Sequence, residues 1–390
     1  MRAYRTISSF GLLALVGATI MLGSWGASAA ACLETVVVYD AGDSASPTRG
    51  QLRTAIAEVC TGGTILLRPG IVIGLEQGEL VIPSQKTLTI MNPSQGEPTA
   101  VVIDAHGVSR VISVQAGADL TLSNVIVRGG SGAGINNEGS LTMAGGRVTG
   151  NTGFGVSNIG KVTLNDDAAI TANQGAGIFN GLSNTYPFAA GQLTLNDESS
   201  ISGNVGSSGG GIANGGVVTL NDNSSVSGNV ATRGGGIFNA WSLFSAGSVT
   251  LNERSAISGN EAELGGGAWN DFFIGPNTVV VLNGDSRIAD NSGGGIVGRG
   301  EITLNDHSRI VGNGGAGIAT VRARITLNDS STITQNEGAF GGGVDMSMGT
   351  LTLNEDSSIA GNAGTQGGGV NSFLGTVTLN DNGSNQPDQR

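Results

Sequence analysis

Acidic side chains recur along this chain at a fixed place. They are Asp166, Asp197, Asp222, Glu253, Asp306, Asp329, Glu355 and Asp381, each directly after an Asn. Paired carboxylates at set separations can hydrolyse glycosidic bonds, and stacked carboxylates can hold a hard cation such as Ca²⁺. On that chemistry Asp166, Asp197, Asp222 and Glu253 are candidate calcium ligands. The competing reading is a solvated turn face, because the acid is part of every repeat. Asp166-Asp167 and Asp306-His307 are the adjacent pairs that could serve acid–base work, and both fall inside the regular repeat. His106, in Asp104-Ala105-His106-Gly107, reads as a turn residue. A catalytic site is expected as a departure from the repeat with converging polar groups.

The conspicuous departures are aromatic. Three insertions, GLSNTYPFAAG, AWSLFSAG and DFFIGPN, carry Tyr186, Phe188, Trp241, Phe244, Phe272 and Phe273, with Trp269 adjacent. Rings on loops bury much area at little entropy cost and suit sugar or protein ligands. They can equally pack on one another as a side cluster.

The elements that position these residues follow from the repeat. Thr-Leu-Asn-acid recurs from Thr163 to Thr378, with Val281-Leu282-Asn283 a degenerate copy, and places Asn at 165, 196, 221, 252, 283, 305, 328, 354 and 380, in steps of 22 to 31 residues. Five residues after that Asn comes an aliphatic (Ile170, Ile201, Val226 and onward), and eight after it a second Asn (173, 204, 229 and onward). A Gly run and a small apolar residue follow, as at Ile212 and Ile237. Alternation in Val218-Thr219-Leu220 marks a strand with Thr outward. Each repeat thus holds three short strands and three corners, and one repeat cannot bury its own apolar face. The expected fold is all-β: a right-handed parallel β-helix of roughly 12 coils. Asn at the corners tolerates left-handed backbone and can bond the amides of neighbouring coils. The Gly run is expected to supply positive φ, and Ser199, Ser224 and their equivalents to be turn residues. The outward Thr column could serve an ice-binding face, but it is narrow, and Thr is also simply a good strand residue.

The ends differ. Arg2 and Arg5, the apolar run Phe10 to Leu22 and Ala27-Ser28-Ala29 form a signal peptide, residues 1–29. A lipoprotein signal would use Cys32, but Ala29 is a poor substitute for the bulky aliphatic expected three residues before it. Residues 30–62 form an N-terminal cap, with Leu52, Ile56 and Val59 at helical spacing covering the first coil. Residues 63–380 are the β-helix, and 381–390 are a polar tail. Export places Cys32 and Cys60 in an oxidising compartment, where a disulfide is the favoured reading. The net charge of −12 disfavours nucleic acid and anionic membranes as partners. No stretch after the signal is long and apolar enough to span a bilayer. No metal or cofactor motif is present beyond the acidic column.

The runs I-x-x-N then GGGI or GGGV (Ile201 to Ile212, Val226 to Ile237, Ile333 to Val344, Ile359 to Val370), with Gly-Ile-Phe-Asn at 177–180 and 236–239, resemble the repeats of chlamydial polymorphic outer membrane proteins. Leu52-Arg53-Thr54-Ala55-Ile56 resembles the motif that opens many exported bacterial β-helix proteins. The resemblance implies a pectate-lyase-like β-helix at a cell surface, often in adhesion. Such proteins often end in an outer-membrane barrel, which this sequence lacks. The expected function is a secreted or cell-surface protein with an adhesin-like or structural binding role, non-catalytic, whose partner is an extracellular glycan or a host or neighbouring surface protein. The alternative is a polysaccharide lyase or glycoside hydrolase of the same superfamily.

Overall fold

A computed structural model describes residues 32–94, 100–181, 190–239, 241–242, 245–270 and 278–385. The signal segment, residues 1–29, lies outside them.

Three long parallel sheets of 14, 13 and 12 strands run the length of the molecule. The chain visits the first, second and third sheet in turn and then pairs with the coil before it. Leu193↔Val218 and Thr194↔Thr219 show the register in the first sheet, Ile201↔Val226 in the second, and Ile212↔Ile237 in the third. The coils stack in register, which makes the fold a parallel β-helix. Parallel crossovers of this kind are right-handed. Inward residues close the core: Val218, Leu220, Val226 and Ile237 are fully buried, as are their equivalents in the coils between the two ends.

The corners are held by side-chain amides. At the first corner each Asn donates to the preceding coil, for example Asn221 Nδ2 to Asn196 Oδ1 at 2.8 Å. At the second corner the direction reverses, and Asn204 Nδ2 donates to Asn229 Oδ1 of the following coil at 3.0 Å. A third column, Asn137, Asn158, Asn180, Asn214, Asn239 and Asn270, ends the third-sheet strands and also bonds forward, at 2.7–2.8 Å. This third column was not expected from the repeat.

Two corner residues differ from expectation. Ser199, Ser224 and their equivalents do close turns, as Ser199 N–H donates to Asn196 O at 3.1 Å. Their side chains, however, face inward and are sealed from solvent. In the Gly run, Gly234 has φ +60, but Gly235 and Gly236 have no positive φ. Those two are glycine because a Cβ would strike the next coil: at Gly236 it would lie 2.6 Å from Gly267 O.

At the N-terminal end, helix α1 (Leu52–Glu58) buries Leu52, Ala55 and Ile56 against the rod. Strand pairing begins at Leu33, opposite Val59, and neither cysteine is free: Cys32 and Cys60 are disulfide-bonded. At the other end Ser384–Asn385 still pairs with the second sheet. Val377 and Leu379 occupy inward positions there but are 39 % and 52 % exposed. Among the described residues no helix is long and apolar enough to cross a membrane.

Candidate binding face

On the third-sheet strands the residue after the inward aliphatic points outward, just before the position of the third Asn column. In-register pairing stacks these residues into one line: Asn136, Ser157, Phe179, Ala213, Phe238, Trp269 and Val297. Phe154, at the start of its strand, stacks on Phe179 with ring centroids 5.4 Å apart and planes 25° from parallel. The Phe179 ring lies over Gly181, where a Cβ would come within 2.4 Å of it. Arg233 places its guanidinium 5.5 Å from the Trp269 ring centroid, a cation–π contact.

The two flanks of this face differ from the regular coil near Phe238 and Trp269. On one side Val230–Arg233 and Glu261–Leu264 form an extra two-stranded parallel sheet. On the other, the insertions leave directly after Asn180, Asn239 and Asn270, all at the corner between third and first sheets. Trp241–Ser242 pairs with Ser245–Ala246 as a short antiparallel ladder there.

Of the expected ligand-binding residues, Trp269 sits on this face, half-buried. Trp241 is described in its backbone alone, and Tyr186, Phe188, Phe244, Phe272 and Phe273 lie outside the described residues. Sequence reasoning missed Phe154, Phe179 and Phe238. For Phe179 and Phe238 the signal that could have found them is the central place of Phe in Ile-Phe-Asn, which alternation turns outward; Phe154 lies outside that tripeptide.

The acidic column has a backbone role at its corner. Asp166, Asp197, Asp222 and Glu253 all have left-handed backbone, with φ of 56–58. Asp166 N–H donates to Asp197 Oδ2 at 3.1 Å, and Asp197 N–H to Asp222 Oδ2 at 3.3 Å. The carboxylates of Asp197 and Asp222 therefore cap a backbone donor of the preceding coil. Among the described residues no three His, Cys, Asp or Glu side chains converge to hold a metal. Asp104 is likewise occupied: it accepts from His106 N–H and Arg128 Nε, both at 2.8 Å. Burial pushes its carboxyl up, but those bonds and the neighbouring charges outweigh it and hold the pKa below the usual aspartate value. His106 itself has φ 50 and makes the turn.

Two open grooves border the face. One, about 580 Å³, is lined by Asp119, Glu138, Ser140, Lys161 and Gln192 where short corners adjoin the first insertion. The other, about 460 Å³, is lined by Arg110, Asn136, Phe154 and Ser157. Arg110 is engaged by Glu79 through a bidentate pair at 2.7 and 3.1 Å.

The class of protein these features define is a parallel β-helix with one aromatic outer face. No protein-family model matches the chain, and no curated protein is similar to it. Among solved structures, the crystal structure of pectate lyase Pel9A is similar over 91% of this chain and 79% of that one, at 15% identity and a TM-score of 0.34. The fold stands on the strand register, and this likeness assigns no activity.

Proposed function

We propose that this chain is a secreted or cell-surface β-helix with an adhesin-like binding role, non-catalytic, whose third-sheet face and adjoining insertions hold an extracellular glycan or a neighbouring surface protein. One coincidence carries the reading. From the coil of Phe179 onward, an insertion follows the strands centred on Phe179, Phe238 and Trp269, and none follows those centred on Ala213, Val297, Ala319, Asp345 or Asn371. A merely structural rod has no reason to pair rings with long corners. The signal-like N-terminus and the disulfide-bonded Cys32 and Cys60 support export. The repeat's resemblance to chlamydial surface proteins points the same way.

A catalytic reading has one observation in its favour: the groove that gathers Asp119 and Glu138 with Lys161. A single experiment separates the two. Residues 30–390 are tested, with and without Ca²⁺, on a panel of polysaccharides and on immobilised surface proteins. Retention is scored together with new reducing or unsaturated ends. Binding without product, lost when Phe238 and Trp269 become Ala, is expected. Product formation overturns the non-catalytic reading, and binding that survives both substitutions moves the site elsewhere.

A further inference from the structure

From Ser113 to Ala319 the outer column of the third sheet is in register, ringed and free of charge, and those three properties select a ligand. We infer that it seats a single neutral polysaccharide chain extended along the rod axis. This rests on the reading above that the face binds.

Direction comes first. Successive rungs are about 4.8 Å apart, so Asn136 and Trp269, five rungs apart, are separated by about 24 Å. A ligand lying along one strand meets one of these side chains. A ligand extended along the axis meets them all.

The chemistry of the column comes second. It opens with an amide and a hydroxyl, Asn136 and Ser157, and continues with the rings of Phe179, Phe238 and Trp269. A pyranose offers the matching pair of surfaces: an apolar C–H face to lie on a ring, and a rim of hydroxyls for the polar side chains. Phe154, stacked on Phe179, broadens the platform. The Arg233 guanidinium beside Trp269 adds N–H donors at the margin.

Charge comes third. From Ser113 to Ala319, nine rungs, no outward residue of the third sheet is charged. The first sheet shows that the fold does not impose this, since one of its outward columns carries Asp119, Lys161, Glu301 and Arg324. With a net charge of −12, a polyanion would also approach against repulsion.

The test uses the whole mature chain. Xyloglucan, mixed-linkage β-glucan and galactomannan are the neutral probes, and polygalacturonate and alginate the acidic ones. Affinity electrophoresis and titration calorimetry are run at low and high salt. Salt-insensitive binding to a neutral polymer is expected, with oligosaccharides gaining affinity as they lengthen. Phe238→Leu and Trp269→Leu keep apolar cover but remove the ring, and each should weaken binding about tenfold with the thermal melt unchanged. Trp269→Phe should retain binding while losing the fluorescence change on titration. Salt-sensitive binding to polygalacturonate, lost in Arg233→Ala, would overturn neutrality and leave the face as a binding site. Capture of a surface protein alone, abolished by the ring substitutions, overturns the glycan and keeps the binding reading. Ring substitutions without effect on any ligand overturn both.

Discussion

Asn229 Nδ2 donates to Asn260 Oδ1 at 3.0 Å, and both side chains are sealed from solvent. The same oxygen also accepts from Asn229 N–H at 3.0 Å. The link repeats from Asn151 to Asn362, so this column is a continuous buried polar spine. A buried polar network is stable only when every member is satisfied.

That condition makes Asn229→Ala costly. The substitution strips the acceptor from both the backbone N–H and the amide of Asn204. The Asn204 amide keeps the carbonyls of Ile170 and Ser202, but its backbone N–H is stranded; a stranded buried donor costs about 1–3 kcal/mol, and with the amide's lost bond a loss of about 3 kcal/mol in urea unfolding is expected. Asn221→Ala, in the half-buried column at the first corner, should cost about 1 kcal/mol because water replaces the lost bond. Equal losses at the two sites would show that burial is not what gives the second column its weight.

The glycines divide by mechanism. At Gly236 a Cβ would meet Gly267 O at 2.6 Å and Ile257 Cγ2 at 2.7 Å. At Gly228 nothing lies within 4 Å, and φ is +62. Gly236→Ala should therefore cost about 3 kcal/mol by overpacking, and Gly228→Ala about 1–2 kcal/mol by backbone strain. Asn tolerates the left-handed region, so Gly228→Asn should recover most of the loss, while Gly236→Asn should not. Thermal melts of the four variants check the division, and recovery at position 236 would refute it.

Much of this architecture was legible because a β-helix writes its register into the sequence. Val218-Thr219-Leu220 alternates in-out-in, and Ile201 and Val226 recur at a fixed distance from an Asn, so three strands per coil follow. The Ser199 column was harder. A small polar residue after a turn looks the same whether its side chain faces water or core, and only the stacked coils show it turned inward. Asn180 and Asn239 were visible in Ile-Phe-Asn, but earlier members such as Asn137 and Asn158 share no fixed tetrapeptide with them. Phe179 and Phe238 were hidden for a related reason, since a single ring between two buried residues passes for core. The acids carry a backbone role that the repeat alone does not show: Asp197 has left-handed backbone and its carboxylate accepts a neighbouring coil's N–H.

Glu355 shows what acid stacking costs. Its pKa is raised, chiefly by the hydrogen bond it shares with Asp329 and by the charge of that carboxylate. A carboxyl whose folded pKa lies above its unfolded value binds more protons when folded. Stability then falls as pH rises from the ordinary glutamate value through the raised one. Glu355→Gln removes the repulsion and should lift the melting temperature slightly at pH 7 while changing it little at pH 4. Ca²⁺ should lift the parent and leave the variant alone if the cation acts by relieving this pair. A variant less stable than the parent at pH 7 would refute the repulsion.

Asp43 carries the opposite sign and sits at the opposite end of the rod. Its carboxylate accepts from Arg53 Nε and Nη2 at 2.7 and 2.9 Å, and from the backbone N–H groups of Glu76 and Gln77, both at 2.9 Å. Arg53 in turn donates to the carbonyls of Gly78 and Glu79, at 2.9 and 3.0 Å. One buried acid thereby ties helix α1 to the loop at 76–79. Burial pushes the carboxyl up, but the Arg53 bonds and charge and the two backbone donors outweigh it and hold the pKa below the ordinary aspartate value. The stability this gives is present in full above that ordinary value and is lost as pH falls through the depressed one. Hydrogen exchange, corrected for its intrinsic pH dependence, should show residues 52–58 and 76–79 losing protection on acidification before the central coils do. Asp43→Asn breaks a buried ion pair, a loss of about 3 kcal/mol, and should show the same regions open already at neutral pH with no further acid step. If the Asn variant keeps full protection there, the carboxylate does not hold the cap, and the apolar face of Leu52, Ala55 and Ile56 does so alone.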